Sequence, residues 1–176
     1  MRNRLSVAIR RGTRQPVIEL LEQRKLFATF TVSNVNDAGL DSLRQAITNA
    51  NSSPGADTIV FNIPGGGVHT IVASSALPAI TGPTTIDGYS QPGASPNSLS
   101  VGDNAVITVE LAGDLAGASV NGLSFGSSAS GSLLRGLAIN RFSNYQVVLQ
   151  SDSTIVSGNF IGTDPLGTSA YNVGAG

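Results

Sequence analysis

Six carboxylates and two arginines are the side chains of this 176-residue chain best suited to chemistry. They are Asp87, Asp103, Glu110, Asp114, Asp152 and Asp164, together with Arg135 and Arg141. Clustered carboxylates can hold calcium, or can act as acid and base on a glycosidic bond, and a basic residue is usually close to the sugar. These residues are widely spaced along the sequence, which favours turn aspartates and solvated faces over a catalytic centre.

The other residue types provide few further candidates for catalysis. The chain has no cysteine and a single histidine, His69, so it has no thiol nucleophile, disulfide or ordinary zinc-ligand set. The glycines at 65–67 are not followed by the Lys-Ser/Thr of a phosphate-binding loop, and they predict a turn. Residues 124–132 lack the G-x-S-x-G context of a nucleophile elbow and predict a loop. We therefore predict no catalytic, cofactor-binding or metal-ligating residue.

A triplet of an aliphatic residue, one spacer and a glycine recurs five times. The structure that these repeats form would determine where the candidate residues lie. The triplets begin at Ile63, Ile86, Leu111, Leu134 and Val156, and their glycines lie 23, 25, 23 and 22 residues apart. A fixed period in this range predicts one structural unit stacked on itself, which is a solenoid. Asp87 and Arg135 hold equivalent spacer positions with Ala112 between them, so we expect them two coils apart.

The repeats carry the alternation that is typical of β-strands. Period-two spacing places Ile59, Phe61 and Ile63 on one face of residues 57–63. It likewise gives residues 105–111 an apolar face, and short runs of the same kind follow. Residues 132–140 align without a gap on residues 154–162, so Leu134 should stack on Val156 and Ile139 on Ile161. Coils of about 22–25 residues made of several short strands predict an all-β fold, a parallel β-helix.

One helix is predicted before the repeats, over residues 42–52. Ser42 and Gln45 have the spacing of a capping box, in which each side chain satisfies a free backbone amide of the other residue. Leu43, Ala46, Ile47 and Ala50 follow at helical spacing and form one apolar stripe. Such a helix can cover the open end of a stack of strands, whose unpaired edge would otherwise promote aggregation.

The net charge of −1 conceals a basic leader on an acidic body. Residues 1–30 carry +5, from seven basic and two acidic residues, whereas residues 31–176 carry −6, from three basic and nine acidic residues. An acidic body argues against a nucleic-acid partner, which requires a basic face. A basic N-terminal segment indicates targeting, and no run reaches the about 20 apolar residues that span a bilayer.

The leader contains a recognisable segment. Residues 21–28, LEQRKLFA, resemble the LEPR-XLL-type N-terminal motif of large exported bacterial proteins, with Gln23 at the proline position and Phe27 at a leucine position. The resemblance implies export and a cell-surface or extracellular location.

A second resemblance covers much of the remainder. Residues 41–47, DSLRQAI, and residues 54–61, PGADTIVF, resemble the "SLREAI" cap of bacterial right-handed parallel β-helix proteins, which have a pectin-lyase-like fold. Residues 68–71, 85–93 and 158–164 are similar to recurrent strings of that family. Some members carry a cysteine where this chain has Asp41. The resemblance implies a right-handed β-helix with an N-terminal capping helix.

These observations predict three regions and leave more than one function open. Residues 1–28 should be an export leader without fixed structure, residues 29–56 the first strand and capping helix, and residues 57–176 β-helix coils that continue in a longer polypeptide. The favoured function is a non-catalytic structural or adhesive module that meets extracellular polysaccharide or cell-surface components. The alternatives are the start of a pectate-lyase-like or other polysaccharide-degrading enzyme, for which calcium would be the cofactor, and a carbohydrate-binding module.

Overall fold

A computed structural model of the chain describes residues 27–171, so most of the predicted leader lies outside the described residues. The strands are β1 (Thr29–Val32), β2 (Asp57–Phe61), β3 (His69–Val72), β4 (Thr84–Asp87), β5 (Val109–Ala112), β6 (Leu123–Phe125), β7 (Leu133–Arg135), β8 (Ala138–Asn140), β9 (Val147–Leu149), β10 (Ile155–Ser157) and β11 (Phe160–Ile161). The α-helix α1 (Leu43–Ser52) and the short 3-10 helix η1 (Gly88–Ser90) are the helices of this part of the chain.

The strands form three sheets in which every named pair is parallel. The five-stranded sheet has the order β1-β2-β4-β7-β10, the four-stranded sheet β11-β8-β5-β3, and the two-stranded sheet β6-β9. The two-stranded sheet is extended by a parallel bridge from Ile80 to Phe125. Successive strands from β6 to β11 visit the two-stranded, five-stranded and four-stranded sheets in turn, twice. The prediction of a mainly β fold built from parallel strands is therefore confirmed.

Apolar register partners from these sheets form one contiguous core. One row consists of Ile59, Ile86, Leu134 and Val156, and another of Ile71, Leu111, Ile139 and Ile161. The predicted partners Leu134–Val156 and Ile139–Ile161 are thus confirmed. Leu134 and Ile139 are fully buried, and burial of such a side chain contributes about 1.5–3 kcal/mol. Ile161, in the last strand, is 44% exposed.

The constant spacing between repeats is found only at the end of the chain. Val156 pairs with Leu134, one repeat earlier, but Leu134 pairs with Ile86, which lies more than twice as far back along the sequence. Two of the five triplets are not equivalent to the others. Leu111 belongs to the four-stranded sheet, and Ile63 follows β2, in which Ile59 is the residue that pairs with Ile86. A connection between strands can lengthen with little loss of stability because the entropy of loop closure grows slowly with length. Two strands can therefore stay paired when an insertion lengthens the loop between them, and a fixed sequence period does not predict such insertions.

Helix α1 begins and packs much as its sequence predicts. The Ser42 hydroxyl accepts a hydrogen bond from the Gln45 amide at 3.2 Å, and Leu43, Ala46, Ile47 and Ala50 are buried. The reciprocal half of the capping box is absent, because the Gln45 side chain donates to Asn49 and the Ser42 amide to Gly39. The helix packs against β1 and β2, at the edge of the five-stranded sheet that β1 forms.

Arg44 of α1 joins the helix to two loops. Its Nη2 lies 2.7 Å from Asp37 Oδ1, and its guanidinium donates to the carbonyl oxygens of Ser75 and Ala76. Desolvation raises the pKa of Asp37, but hydrogen bonds from Ser74 and Arg44 outweigh it and hold that pKa below its ordinary value. Arg44 therefore fixes the loop that precedes α1 against the segment that follows β3.

The region expected to be a loop at residues 124–132 begins in a strand. Ser124 and Phe125 belong to β6, and Phe125 is fully buried. The run of small residues hides this strand because Phe125 is its only large apolar side chain. The turn lies at residues 127–128 and 130–131, after the strand. The glycines at 65–67 lie in a bend between β2 and β3, as predicted.

Candidate functional site

Asp87 and Arg135 lie side by side, which corrects the expectation that they are two coils apart. They are register partners in the adjacent strands β4 and β7. Arg135 Nε lies 2.9 Å from Asp87 Oδ1, and Arg135 Nη2 lies 2.7 Å from Oδ2. The expectation was wrong because the intervening triplet, at Leu111, runs through a different sheet. The result is a bidentate ion pair, a geometry that is stronger and more directional than a single contact.

The local sequence after β4 orients the Asp87 carboxylate further. Asp87 caps the short helix η1, and its Oδ1 accepts a hydrogen bond from the Tyr89 amide at 3.1 Å. Asp is favoured at this position because its short side chain reaches the backbone two residues ahead. The hydrogen bond to Asp87 raises the pKa of Arg135. Asp87 and Arg135 are therefore engaged with each other and with the backbone, rather than free to move protons.

Tyr89 lies across the glycines of two later strands. A Cβ on Gly136 would lie 2.5 Å from the Tyr89 amide nitrogen, and a Cβ on Gly158 would lie 2.7 Å from the Tyr89 hydroxyl oxygen. The Tyr89 hydroxyl donates to the Gly158 carbonyl oxygen at 2.6 Å. Burial, and then the negative charge of Asp103, raises the pKa of Tyr89 above 10.0. The glycines at these two triplets thus make room for the backbone and ring of Tyr89.

These residues line a groove, which we call the Tyr89 groove. Its walls are formed by Asp87, Tyr89, Pro96, Asn97, Arg135, Ser157 and Gly158. Its volume is about 430 Å³, within the roughly 300–1,000 Å³ that is common for small-molecule sites. Asn97 is used internally, since its Oδ1 accepts from the amides of Leu99 and Asn104. The charged and hydroxyl groups of Asp87, Arg135 and Ser157 remain for contact with a ligand.

A second polar cluster surrounds Glu110 on the four-stranded sheet. Glu110 is only 5% exposed and accepts hydrogen bonds from Thr70 at 2.7 Å and from Asn140 at 2.9 Å. Arg141 Nη2 lies 3.4 Å from Glu110 Oε1, and Arg141 Nε lies 3.4 Å from Asp114 Oδ1 without hydrogen-bond geometry. A buried charge is tolerated only when it is paired and hydrogen-bonded. Thr70, Asn140 and Arg141 therefore compensate the burial of the Glu110 charge.

Tyr171 contacts the Glu110 cluster through Arg141. The guanidinium carbon of Arg141 lies 4.6 Å from the centre of the Tyr171 ring, a cation–π distance. Arg141 itself has a positive φ of 61°, which is unusual for a residue with a Cβ. From this backbone conformation, the Arg141 guanidinium lies near both carboxylates and the ring.

The remaining candidate carboxylates make no hydrogen bond within these clusters, although Asp103 is close enough to Tyr89 to raise its pKa. Asp103 accepts from the Ala105 amide at 2.8 Å, and Asp152 is exposed in a turn. Asp164 accepts from Thr168 and Ser169; these hydrogen bonds outweigh desolvation and lower its pKa. Among residues 27–171, no three His, Asp or Glu side chains come close enough together to hold a metal ion.

His69 lies in β3 opposite Val109. Its Cε1 would lie 3.6 Å from a Cβ at Gly65, and its Nε2 is buried without a hydrogen bond to the described residues. No carboxylate in that part of the chain orients the ring, so His69 lacks the partner that a catalytic histidine uses.

Sequence reasoning missed the juxtaposition of Asp87 and Arg135 and did not single out Tyr89. A usable signal was present. The strings at 84–88, TTIDG, and 132–136, SLLRG, align with opposite charges at one position. Opposite charges directly across neighbouring strands stabilise a sheet, so charge complementarity would have identified the pair. The ring of Tyr89 has no comparable signal because its contacts are with glycine backbone.

Comparison with known proteins gives no match: no protein-family model, curated protein or solved structure matches the chain. No helix in residues 27–171 is long and apolar enough to cross a membrane.

Proposed function

We propose that this chain is a right-handed parallel β-helix that serves as a non-catalytic scaffold in an exported bacterial protein. The cyclic order in which β6 to β11 visit three parallel sheets supports a continuous coil. The position of α1 against β1 and β2 supports the capping role expected from its sequence. A solenoid of this kind presents long surfaces and suits structural or adhesive work.

The observation that carries the non-catalytic role is the mutual neutralisation of Asp87 and Arg135. They are the only Asp/Glu–Arg pair joined by two short contacts on the five-stranded sheet within the described residues. A lyase or glycosidase needs a base or acid that is free to exchange a proton with the sugar. The Asp87 carboxylate also accepts a hydrogen bond from the Tyr89 amide. We therefore assign the ion pair a structural role, in which it joins the adjacent strands β4 and β7.

Export and surface location are part of the same proposal. The +5 leader and the motif at residues 21–28 support them, and the −6 body favours saccharide or protein surfaces over nucleic acid as partners. A reporter fused behind residues 1–28 tests this in a bacterial host. Export of the reporter, lost when the segment is scrambled at constant composition, supports the proposal. Retention of the intact fusion in the cytoplasm contradicts it.

The competing enzyme is a calcium-dependent lyase for acidic polysaccharide. The full chain is incubated with polygalacturonate and calcium at alkaline pH, and unsaturated products are followed by absorbance. We expect no turnover, because the acidic body repels a polyanion and residues 27–171 lack a carboxylate cluster to hold the ion. Turnover that is lost in Asp87→Asn but kept in Asp152→Asn, an exposed control, would establish the lyase instead.

A further inference from the structure

We propose that the Tyr89 groove is a binding site for a neutral saccharide. The proposal goes beyond the scaffold role, because a scaffold does not require an occupied groove. The groove combines an aromatic wall, a proline and three polar side chains with free hydrogen-bonding capacity. Pockets of this kind, apolar with a few converging polar groups, are the usual form of a small-molecule site.

The aromatic wall is already held in place. The Tyr89 ring rests against Gly136 and Gly158, and its hydroxyl is fixed to the Gly158 carbonyl oxygen. A ligand that stacks on this ring does not have to immobilise it, so less entropy is lost on binding. Pro96 adds a second apolar surface. Two rigid apolar surfaces favour a flat, ring-shaped ligand with apolar faces, which describes a pyranose.

The polar groups of the groove suit hydroxyl groups. Arg135 uses Nε and Nη2 on Asp87, and its Nη1 makes no hydrogen bond to residues 27–171. Within the same range, Asp87 Oδ2 accepts only from Arg135, so it keeps acceptor capacity. The exposed Ser157 hydroxyl can both donate and accept. Vicinal hydroxyls of a sugar present both donors and acceptors, and they match this set.

The charge of the groove favours a neutral ligand over an acidic one. Asp87 and Arg135 cancel, and Asp103 adds a negative charge close enough to raise the pKa of Tyr89. A uronic acid would therefore meet one guanidinium already occupied by a carboxylate, and a second carboxylate nearby. Like-charge juxtaposition of this kind disfavours binding.

The test is titration of the full chain with soluble oligosaccharides, followed by amide chemical shifts in NMR spectra. The neutral probes are cellohexaose, xylohexaose and mannohexaose, and the acidic probe is hexagalacturonate. We expect at least one neutral probe to bind with a Kd of about 1 mM or tighter and to shift the amides of residues 88–90, 135–136 and 157–158. Absence of binding by all three neutral probes up to about 10 mM, or tighter binding of the acidic probe, would overturn the proposal.

Matched variants locate the site. Ser157→Tyr places a bulky side chain in the groove and should weaken binding about tenfold or more. Ser127→Tyr makes the same change at an exposed turn that does not line the groove and should leave the affinity within about twofold. Equal affinities in the two variants would refute the assignment. If Ser157→Tyr disturbs the fold, Arg135→Met replaces it, and unweakened binding in that folded variant refutes the site.

These outcomes are independent of the scaffold proposal. A chain that binds no sugar but shows no lyase turnover stays a scaffold without a ligand groove.

Discussion

Alanine substitutions at Gly136 and Gly158 test whether contact with Tyr89 is the reason that these two positions require glycine. Both residues have positive φ, 74° and 61°. The three atoms nearest to a Cβ at Gly158 would all belong to the Tyr89 side chain, the nearest at 2.7 Å. A Cβ at Gly136 would meet backbone as well as the ring, at 2.5 Å from the Tyr89 nitrogen, 2.8 Å from Tyr89 Cγ and 2.9 Å from the Gly88 carbonyl carbon. The two substitutions therefore share the penalty of a left-handed backbone and differ in the atoms that the added Cβ would displace.

The shared penalty can be measured by itself at Gly162. That residue has a φ of 80° and nothing within 4 Å of a Cβ, so Gly162→Ala should lower the free energy of unfolding by about 1–2 kcal/mol, the penalty of a left-handed backbone. Gly158→Ala adds displacement of the Tyr89 hydroxyl and loss of one hydrogen bond, for a total of about 2–4 kcal/mol. Gly136→Ala adds overpacking against backbone that cannot rotate away, for a total of about 3–5 kcal/mol.

The assay is urea denaturation followed by far-ultraviolet circular dichroism, in wild-type and Tyr89→Ala backgrounds. Removing the Tyr89 ring should relieve Gly158→Ala by about 1 kcal/mol or more, which is a coupling energy of the size expected for residues in contact. It should give much less relief at Gly136, because the backbone contacts remain. Equal losses at all three glycines, or no coupling between Gly158 and Tyr89, would refute the reasoning.

Three further predictions concern the core, the Glu110 cluster and the effect of acid on stability. Ile139→Asp buries an unpaired charge and should lower the melting temperature far more than Ile161→Asp, whose parent side chain is 44% exposed; equal melting temperatures would contradict the core assignment. Arg141→Leu leaves Glu110 buried without its cation and should lower the free energy of unfolding by about 3–5 kcal/mol. Adding Glu110→Gln should restore part of that loss, and a double variant no more stable than the single one would argue against the pair. The pKa of Asp37 is lowered in the folded chain, so its contribution is present above the unfolded pKa and is lost as pH falls through the folded pKa. Urea midpoints measured below about pH 4 should therefore fall less steeply in Asp37→Asn than in wild type, and identical slopes would contradict this.

The sequence predicted the structure correctly where the interacting residues are close together in the chain. The α1 stripe and the Ser42 cap depend on residues within one or two turns, and both were predicted. The partners of Leu134 and Ile139 were also predicted, because residues 132–140 and 154–162 align without insertion. Their separation of a single uninterrupted repeat left no room for an alternative register.

The fixed period failed where insertions lie between partners. Leu134 pairs with Ile86 across a much longer stretch of chain than one repeat, and Leu111 lies in another sheet. A triplet of aliphatic residue, spacer and glycine can belong to either sheet, since both need buried aliphatic residues and tight corners. The triplet alone therefore could not indicate which strands would be neighbours.

By itself, the sequence determined the mainly β character, helix α1 with its buried face, and the pairing of β7 with β10 and of β8 with β11. Each of these follows from side-chain periodicity, which acts over a few residues. Only the tertiary structure brought Asp87 to Arg135, placed Tyr89 over Gly136 and Gly158, and closed Glu110 between Thr70, Asn140 and Arg141. The physical reason is that strand register depends on how long intervening loops pack, and loops of very different length can join equivalent positions.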